Sequence, residues 1–179
     1  MRRRIRPMSV FSRLFRTRPD PREEMRPLWH RVVEISRHPR WYGEDGVADS
    51  VPGRFDMVVA VLSLVLLRME GEPQLAASSA LLTELFVEDM DGQLRESGVG
   101  DMVVGKHIGR LVSTLGGRLG AFRDALAEPD GAALRAAVER NVTFNAGTAP
   151  DALAADLHAF AERLARIAPD DLIAGRIDA

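Results

Sequence analysis

Arg54-Phe55-Asp56-Met57-Val58-Val59-Ala60-Val61-Leu62-Ser63-Leu64-Val65-Leu66-Leu67-Arg68 decides the fold. From Met57 to Leu67 the eleven residues are apolar apart from Ser63. That run is long for a strand and well short of the ~20 residues needed to cross a bilayer core. The spacing therefore predicts a buried helix over about 54–69. It is apolar on nearly every side, so it needs neighbours all round. Its large side chains contribute a gross burial term of roughly 14–27 kcal/mol, before chain entropy is subtracted.

Other helices are expected to surround it. Asp20-Pro21-Arg22-Glu23 is a helix start with a cap, a proline at the first helical position and a reciprocal glutamate. Met25, Leu28, Trp29, Val32 and Ile35 continue it at helical spacing until His38-Pro39, and Trp41-Tyr42-Gly43 opens a loop that lasts to Val51-Pro52-Gly53. Gly71-Glu72-Pro73 begins a helix carrying Leu75, Leu82, Leu85, Phe86 and Met90, which ends at Asp91-Gly92 or resumes through Leu94-Arg95-Glu96. Asp101 caps the longest helix, to about Leu126, with Ile108, Leu111, Val112, Leu115, Leu119, Phe122 and Leu126 as its core stripe. Gly105, Gly109, Gly116 and Gly120 within it are expected to mark close approach of another helix, or else a kink. Two further helices start at Pro129-Asp130-Gly131, running to about Asn145, and at Thr148-Ala149-Pro150-Asp151. The expectation is an all-α chain: a basic segment over 1–19, one helical domain of about six helices over 20–168, and a tail over 169–179 that frays.

Composition narrows the function. The chain has 179 residues, 46% of them apolar and 28% charged, which suits one folded domain. By area scaling it hides about 70% of its unfolded surface. Without cysteine it has no disulfide, thiolate metal site or cysteine nucleophile. His30, His38, His107 and His158 are scattered without ligand spacing, so the residues call for no metal and no cofactor. Gly98-Val99-Gly100 follows no strand and lacks the rest of a nucleotide-loop pattern. Glu88–Gly92 has the acidity of a calcium loop, but Leu94 stands where its sharp turn needs glycine. The residues point away from an enzyme.

Net charge is only −2, unevenly spread: residues 1–40 carry twelve arginines against four acids, and the rest carries twelve basic and twenty-two acidic groups. Residues 1–19 contain no acid. Coiled into a helix, they set Met8, Phe11, Leu14 and Phe15 on one side and Arg13 and Arg16 on the other. Such a segment fits an anionic membrane surface, with rings in the interface and arginines at phosphates. It equally fits ribosomal RNA, an organellar transit peptide or a disordered tail. No apolar stretch follows Arg2, Arg3, Arg4 and Arg6 to complete a secretory signal. The expected location is the cytoplasm, with peripheral contact on the inner face of a membrane, or the mitochondrial matrix in a eukaryote.

Two charge-dense stretches interleave with Phe and Met: Arg54-Phe55-Asp56, and Glu88-Asp89-Met90-Asp91 with Arg95, Glu96 and Asp101. Asp56 and Asp101 sit where helix dipoles favour an anion. Either these groups form an internal network of ion pairs and caps, or they rim an apolar groove with Lys106 and Arg110 nearby. In the second reading Arg54, Asp56, Asp89, Asp91, Arg95, Glu96, Asp101 and Lys106 form a partner-binding face.

The same stretches resemble the ubiquinol–cytochrome c chaperone family. The resemblance rests on Val51-Pro52-Gly53-Arg54-Phe55-Asp56-Met57, on Phe86-Val87-Glu88-Asp89-Met90-Asp91, and on Leu94-Arg95-Glu96-Ser97-Gly98-Val99-Gly100-Asp101-Met102-Val103-Val104-Gly105-Lys106. Gly117-Arg118, Ala121-Phe122 and Trp41-Tyr42 extend it, over roughly residues 25–145. It implies an all-helical, non-enzymatic assembly factor for respiratory complex III. Mitochondrial members act on newly made cytochrome b near the ribosomal exit, and a bacterial member is expected at the cytoplasmic face of the inner membrane. The partner so implied is immature cytochrome b or another complex III component, with ribosome contact a further implication. A generic helical scaffold or regulator without a respiratory role is the alternative.

The central position of the apolar helix has a direct test. Leu64→Asp places a charge in its middle and is expected to unfold the domain, read as loss of the helical circular-dichroism signal at 25 °C.

Overall fold

The computed structural model describes residues 20–96 and 101–178, with side chains for 20–93 and 108–178. The expected all-helical single domain is what forms. In chain order the helices are α1 (Arg26–Ser36), α2 (Pro39–Gly43), α3 (Val51–Glu70), α4 (Ala76–Glu96), α5 (Asp101–Ala127), α6 (Ala132–Asn141), α7 (Asp151–Ala165) and α8 (Pro169–Ile173). Short 3₁₀ turns, Pro21–Met25 and Pro73–Leu75, lead into α1 and α4. Among the described residues the only extended pairing is a single bridge between Val47 and Phe144.

The apolar run is the axle. Every residue from Asp56 to Leu66 is buried, and α3 packs against α1, α4, α5 and α7. Ser63, the polar interruption, donates its hydroxyl to the Val59 carbonyl one turn back at 2.7 Å, which satisfies it without a partner helix. At the far end Arg68 reaches out of α3 and donates to the carbonyls of Leu164 at 3.1 Å and Ile167 at 2.8 Å. A cation there meets the partial negative charge of the carbonyls at the end of α7.

The start of α3 differs from the expected loop. The helix begins at Val51, Ser50 caps it by accepting from the Gly53 amide at 3.3 Å, and Pro52 sits in the first turn. Gly53 has a steric reason to be glycine: a Cβ there would lie 2.0 Å from the Ala48 carbonyl oxygen. The loop over 44–50 folds back that closely because it is tied to the chain after α6. Ala48 donates to the Thr143 carbonyl at 2.9 Å, and Asn145 to the Gly46 carbonyl at 3.0 Å.

Four further expectations change. Trp41 and Tyr42 belong to the short helix α2, where the Trp41 indole donates to the Ile35 carbonyl at 2.6 Å and the Tyr42 hydroxyl to the Ser36 carbonyl at 2.8 Å. His38 caps this helix through Nδ1, so the break at His38-Pro39 is a corner and not an exit into loop. α6 stops at Asn141, since Val142 is extended and the chain leaves to make the Val47–Phe144 bridge. The stretch expected to fray after 168 holds α8, with Leu172 and Ile177 buried and Arg31 of α1 donating to the Ile177 carbonyl at 2.6 Å.

The stripe on α5 is narrower than its spacing implied. Leu115 and Phe122 are buried, Ile108, Leu111, Leu119 and Leu126 are half-buried, and Val112 is 46% exposed. Gly109, Gly116 and Gly120 have open space where a Cβ would stand, so no helix approaches them closely.

Gly53→Ala must push the Ala48 carbonyl away from α3. A destabilisation of roughly 1–3 kcal/mol is expected, read as a fall of several degrees in Tm.

Candidate functional site

Near the N-terminal end of α3 the surrounding helices do not close. A groove of about 980 Å³ opens there between α1, α2, the first turns of α3, the end of α4 and α5. Val33, Tyr42, Phe55, Val58, Met90 and Leu111 form its apolar surface, with Val51 and Pro52 at its mouth. Val51 is 84% exposed, the largest exposure of any sizeable apolar side chain among the described residues. The polar groups on the wall are Arg37, Asp49, Arg54, Asp89 and Gln93. A second hollow of about 550 Å³ shares Val33, Arg37, Asp89 and Gln93 with the first and adds Trp29, His30, Leu85 and Glu88. The two together make a trough along α1 and α4.

Three consecutive residues of α3 divide the work of this site. Arg54 points to solvent at the rim, where its Nε lies 2.6 Å from Asp49 and holds that carboxyl below its usual range. Phe55 lies in the wall, backed by Phe86 at 6.4 Å between ring centroids, which in turn meets Trp29 edge-on at 6.1 Å. Asp56 points inward. Its carboxylate accepts from Arg118 of α5 at 2.6 Å, from the Thr143 amide at 2.9 Å and from the Thr143 hydroxyl at 2.7 Å. The same guanidinium lies 5.6 Å from the Phe55 ring centroid.

Asp56 is therefore the correction among the expected rim residues. It is buried, its hydrogen bonds are made inside the fold, and it does not line the groove. It positions Arg118 behind Phe55 and joins α3 to α5 and to the segment after α6. A charge in the second turn of a helix faces solvent or core according to its neighbours, and nothing in the residue order says which.

Arg54 and Asp89 line the groove. Asp91 is half-buried on α4. The side chains of Arg95, Glu96, Asp101 and Lys106 lie outside the described residues, as do Met102 and the membrane-surface candidates Phe11, Arg13, Leu14, Phe15 and Arg16. Met69 is core, whereas Met90 is nearly buried yet reaches the groove. Sequence reading missed Val33, Tyr42 and Leu111, whose half-burial looks like ordinary core, and the exposed Arg37 just past the end of α1.

The profile of the ubiquinol–cytochrome C chaperone family matches residues 44–179. The chain belongs to this family. It is also similar to a protein described as the Cbp3 homolog from Brucella abortus, whose crystal structure superposes with a TM-score of 0.77 at 33% identity, over 94% of this chain and 95% of that one. No curated protein matches the chain. Family and fold support a role as an assembly chaperone for complex III. No helix among the described residues is long and apolar enough to cross a membrane, and no group of acidic or histidine side chains among them is placed to hold a metal ion.

Behind the groove sits a second acidic contact. Asp45, 2% exposed at the end of α2, faces Asp156 of α7, which is paired with Arg40. Burial, then the Asp156 charge, pushes the Asp45 carboxyl up to about 6, and its Oδ2 has no hydrogen-bond partner. The folded chain thus holds this proton more tightly than the unfolded chain does. Stability is expected to fall as pH rises from about 4 to about 6, because the ionised form is disfavoured only when folded. Asp45→Asn removes that penalty. It should raise stability by roughly 1–3 kcal/mol at pH 7.5 and change little at pH 4, read from denaturation midpoints at the two pH values.

Proposed function

We propose that this family member binds an apolar segment of immature cytochrome b, or of another complex III component, in the groove beside Phe55. The observation that carries the reading is an open, mainly apolar trough with Arg54 and Asp89 on its wall. A membrane segment awaiting its partners needs somewhere apolar to rest, and a wall containing Val51, Phe55 and Met90 offers it. Arg54 and Asp89 supply edges that can pair with polar residues flanking such a segment. Asp91, Arg95, Glu96, Asp101 and Lys106 extend the proposed face along the end of α4 and the start of α5, while Asp56 acts from behind by holding Arg118 against Phe55.

Residues 1–19 are proposed to meet anionic lipid through Phe11, Leu14 and Phe15 with Arg13 and Arg16. That places the chaperone on the cytoplasmic face of a bacterial inner membrane, or on its matrix counterpart. The basic, acid-free composition of the segment supports it.

A photo-crosslinking residue at Val51, activated in cells and followed by recovery of the chaperone from membranes, tests the client reading. Cytochrome b is expected in the crosslinked product. Asp89→Arg and Arg54→Glu should each lower complex III assembly severalfold with Tm within about 2 °C of wild type, because Arg54 is exposed and the half-buried Asp89 faces the groove, where charges contribute little to stability. Unchanged membrane cytochrome b in a strain lacking the gene would favour the scaffold alternative.

A further inference from the structure

The described chain begins beside the trough. Asp20 is held by Arg22 at 2.6 Å, and Arg22 pairs with Glu88 of α4 at 3.0 Å. Glu88 lines the second hollow, which shares Asp89 and Gln93 with the main groove. Residues 1–19 therefore leave from the polar end of the trough, where Glu88 and Asp89 of α4 stand beside Arg26, His30 and Arg37, and the apolar groove beside Phe55 lies beyond it. Those nineteen residues hold seven arginines and no acid. As a helix they would extend about 28 Å, and extended about 60 Å, so the groove is within reach in either form.

We infer that, away from lipid, residues 1–19 dock in the trough of their own chain, Met8, Phe11 and Phe15 facing its apolar wall and their arginines the acidic side of α4, so that a membrane surface draws them out or a client must displace them. The inference rests on the reading of the groove as the client site and supplies its regulation. Met8, Phe11 and Phe15 have the i, i+3, i+7 spacing of a helix that anchors in a groove. Attachment at Asp20 keeps the segment at millimolar effective concentration, so weak contacts suffice to cover the surface. Covering also answers a physical problem: an apolar trough left open to water invites association between copies.

The chain has no cysteine, so introduced pairs report without background. In the full chain, Ser12→Cys is paired with Gln93→Cys in the trough or with Glu139→Cys on α6. The 12–93 disulfide is expected to close within one chain about tenfold faster than the 12–139 disulfide under glutathione oxidation, and adding Phe11→Ser and Phe15→Ser should abolish that difference. The chain carrying Phe11→Ser and Phe15→Ser without cysteines should also take up bis-ANS with about twofold more fluorescence than wild type, because the groove is uncovered. Equal closure rates for the two pairs overturn the docking, and so does a disulfide between chains, which would make a second copy the occupant. Either result, with strong dye uptake by wild type, leaves the client reading intact. Rapid 12–93 closure together with no cytochrome b crosslink from Val51 in the Phe11→Ser, Phe15→Ser chain removes the client reading and leaves the docking.

Discussion

A helix with no polar face has to be enclosed, and the run from Met57 to Leu66 imposes that requirement on the rest of the chain. Water disfavours each of its side chains, so α1, α4, α5 and α7 are drawn around it. Enclosure leaves the two ends of α3 as the places where polar groups must be settled. At one end Arg68 does so by capping α7. At the other Asp56 collects Arg118 and Thr143. A buried carboxylate is tolerated only when its lone pairs are met, and removing one partner of such a pair costs about 3–5 kcal/mol.

The groove follows from the same geometry. α1 and α4 lean on α3 along its length, but the first turns of α3 are approached by the short helix α2 and by the loop over 44–50, which is held from behind by Thr143 and Asn145. Two short pieces of chain cannot cover a helix face as a long helix does. Phe55 is left half-buried, and Val58 and Met90, though buried, reach the groove wall. Arg118, fixed by Asp56, stands against the Phe55 ring. The polar node and the apolar surface are two sides of one arrangement.

Much of the fold was legible because helical periodicity and chain punctuation are local. The Ser63 interruption, the proline and glycine breaks and the long Asp101–Ala127 helix can be read residue by residue. What misled was any feature whose meaning depends on a distant neighbour. Gly116 and Gly120 looked like packing glycines, yet face open space. Gly53 carries the tight contact, with a carbonyl in a loop whose return depends on Thr143, ninety residues further along. Leu172 and Ile177 looked like the end of the chain, but find Arg31 and α1.

The order of residues by itself determined an all-helical chain, an apolar central helix, an arginine-rich start and the absence of cysteine chemistry, because each is a matter of composition or of spacing within a single element. Only the tertiary structure decided that, of three neighbouring residues, Arg54 meets water, Phe55 a groove and Asp56 the interior. Helix geometry separates them by about 100° each. Which of those directions is wet depends on where four other helices come to rest.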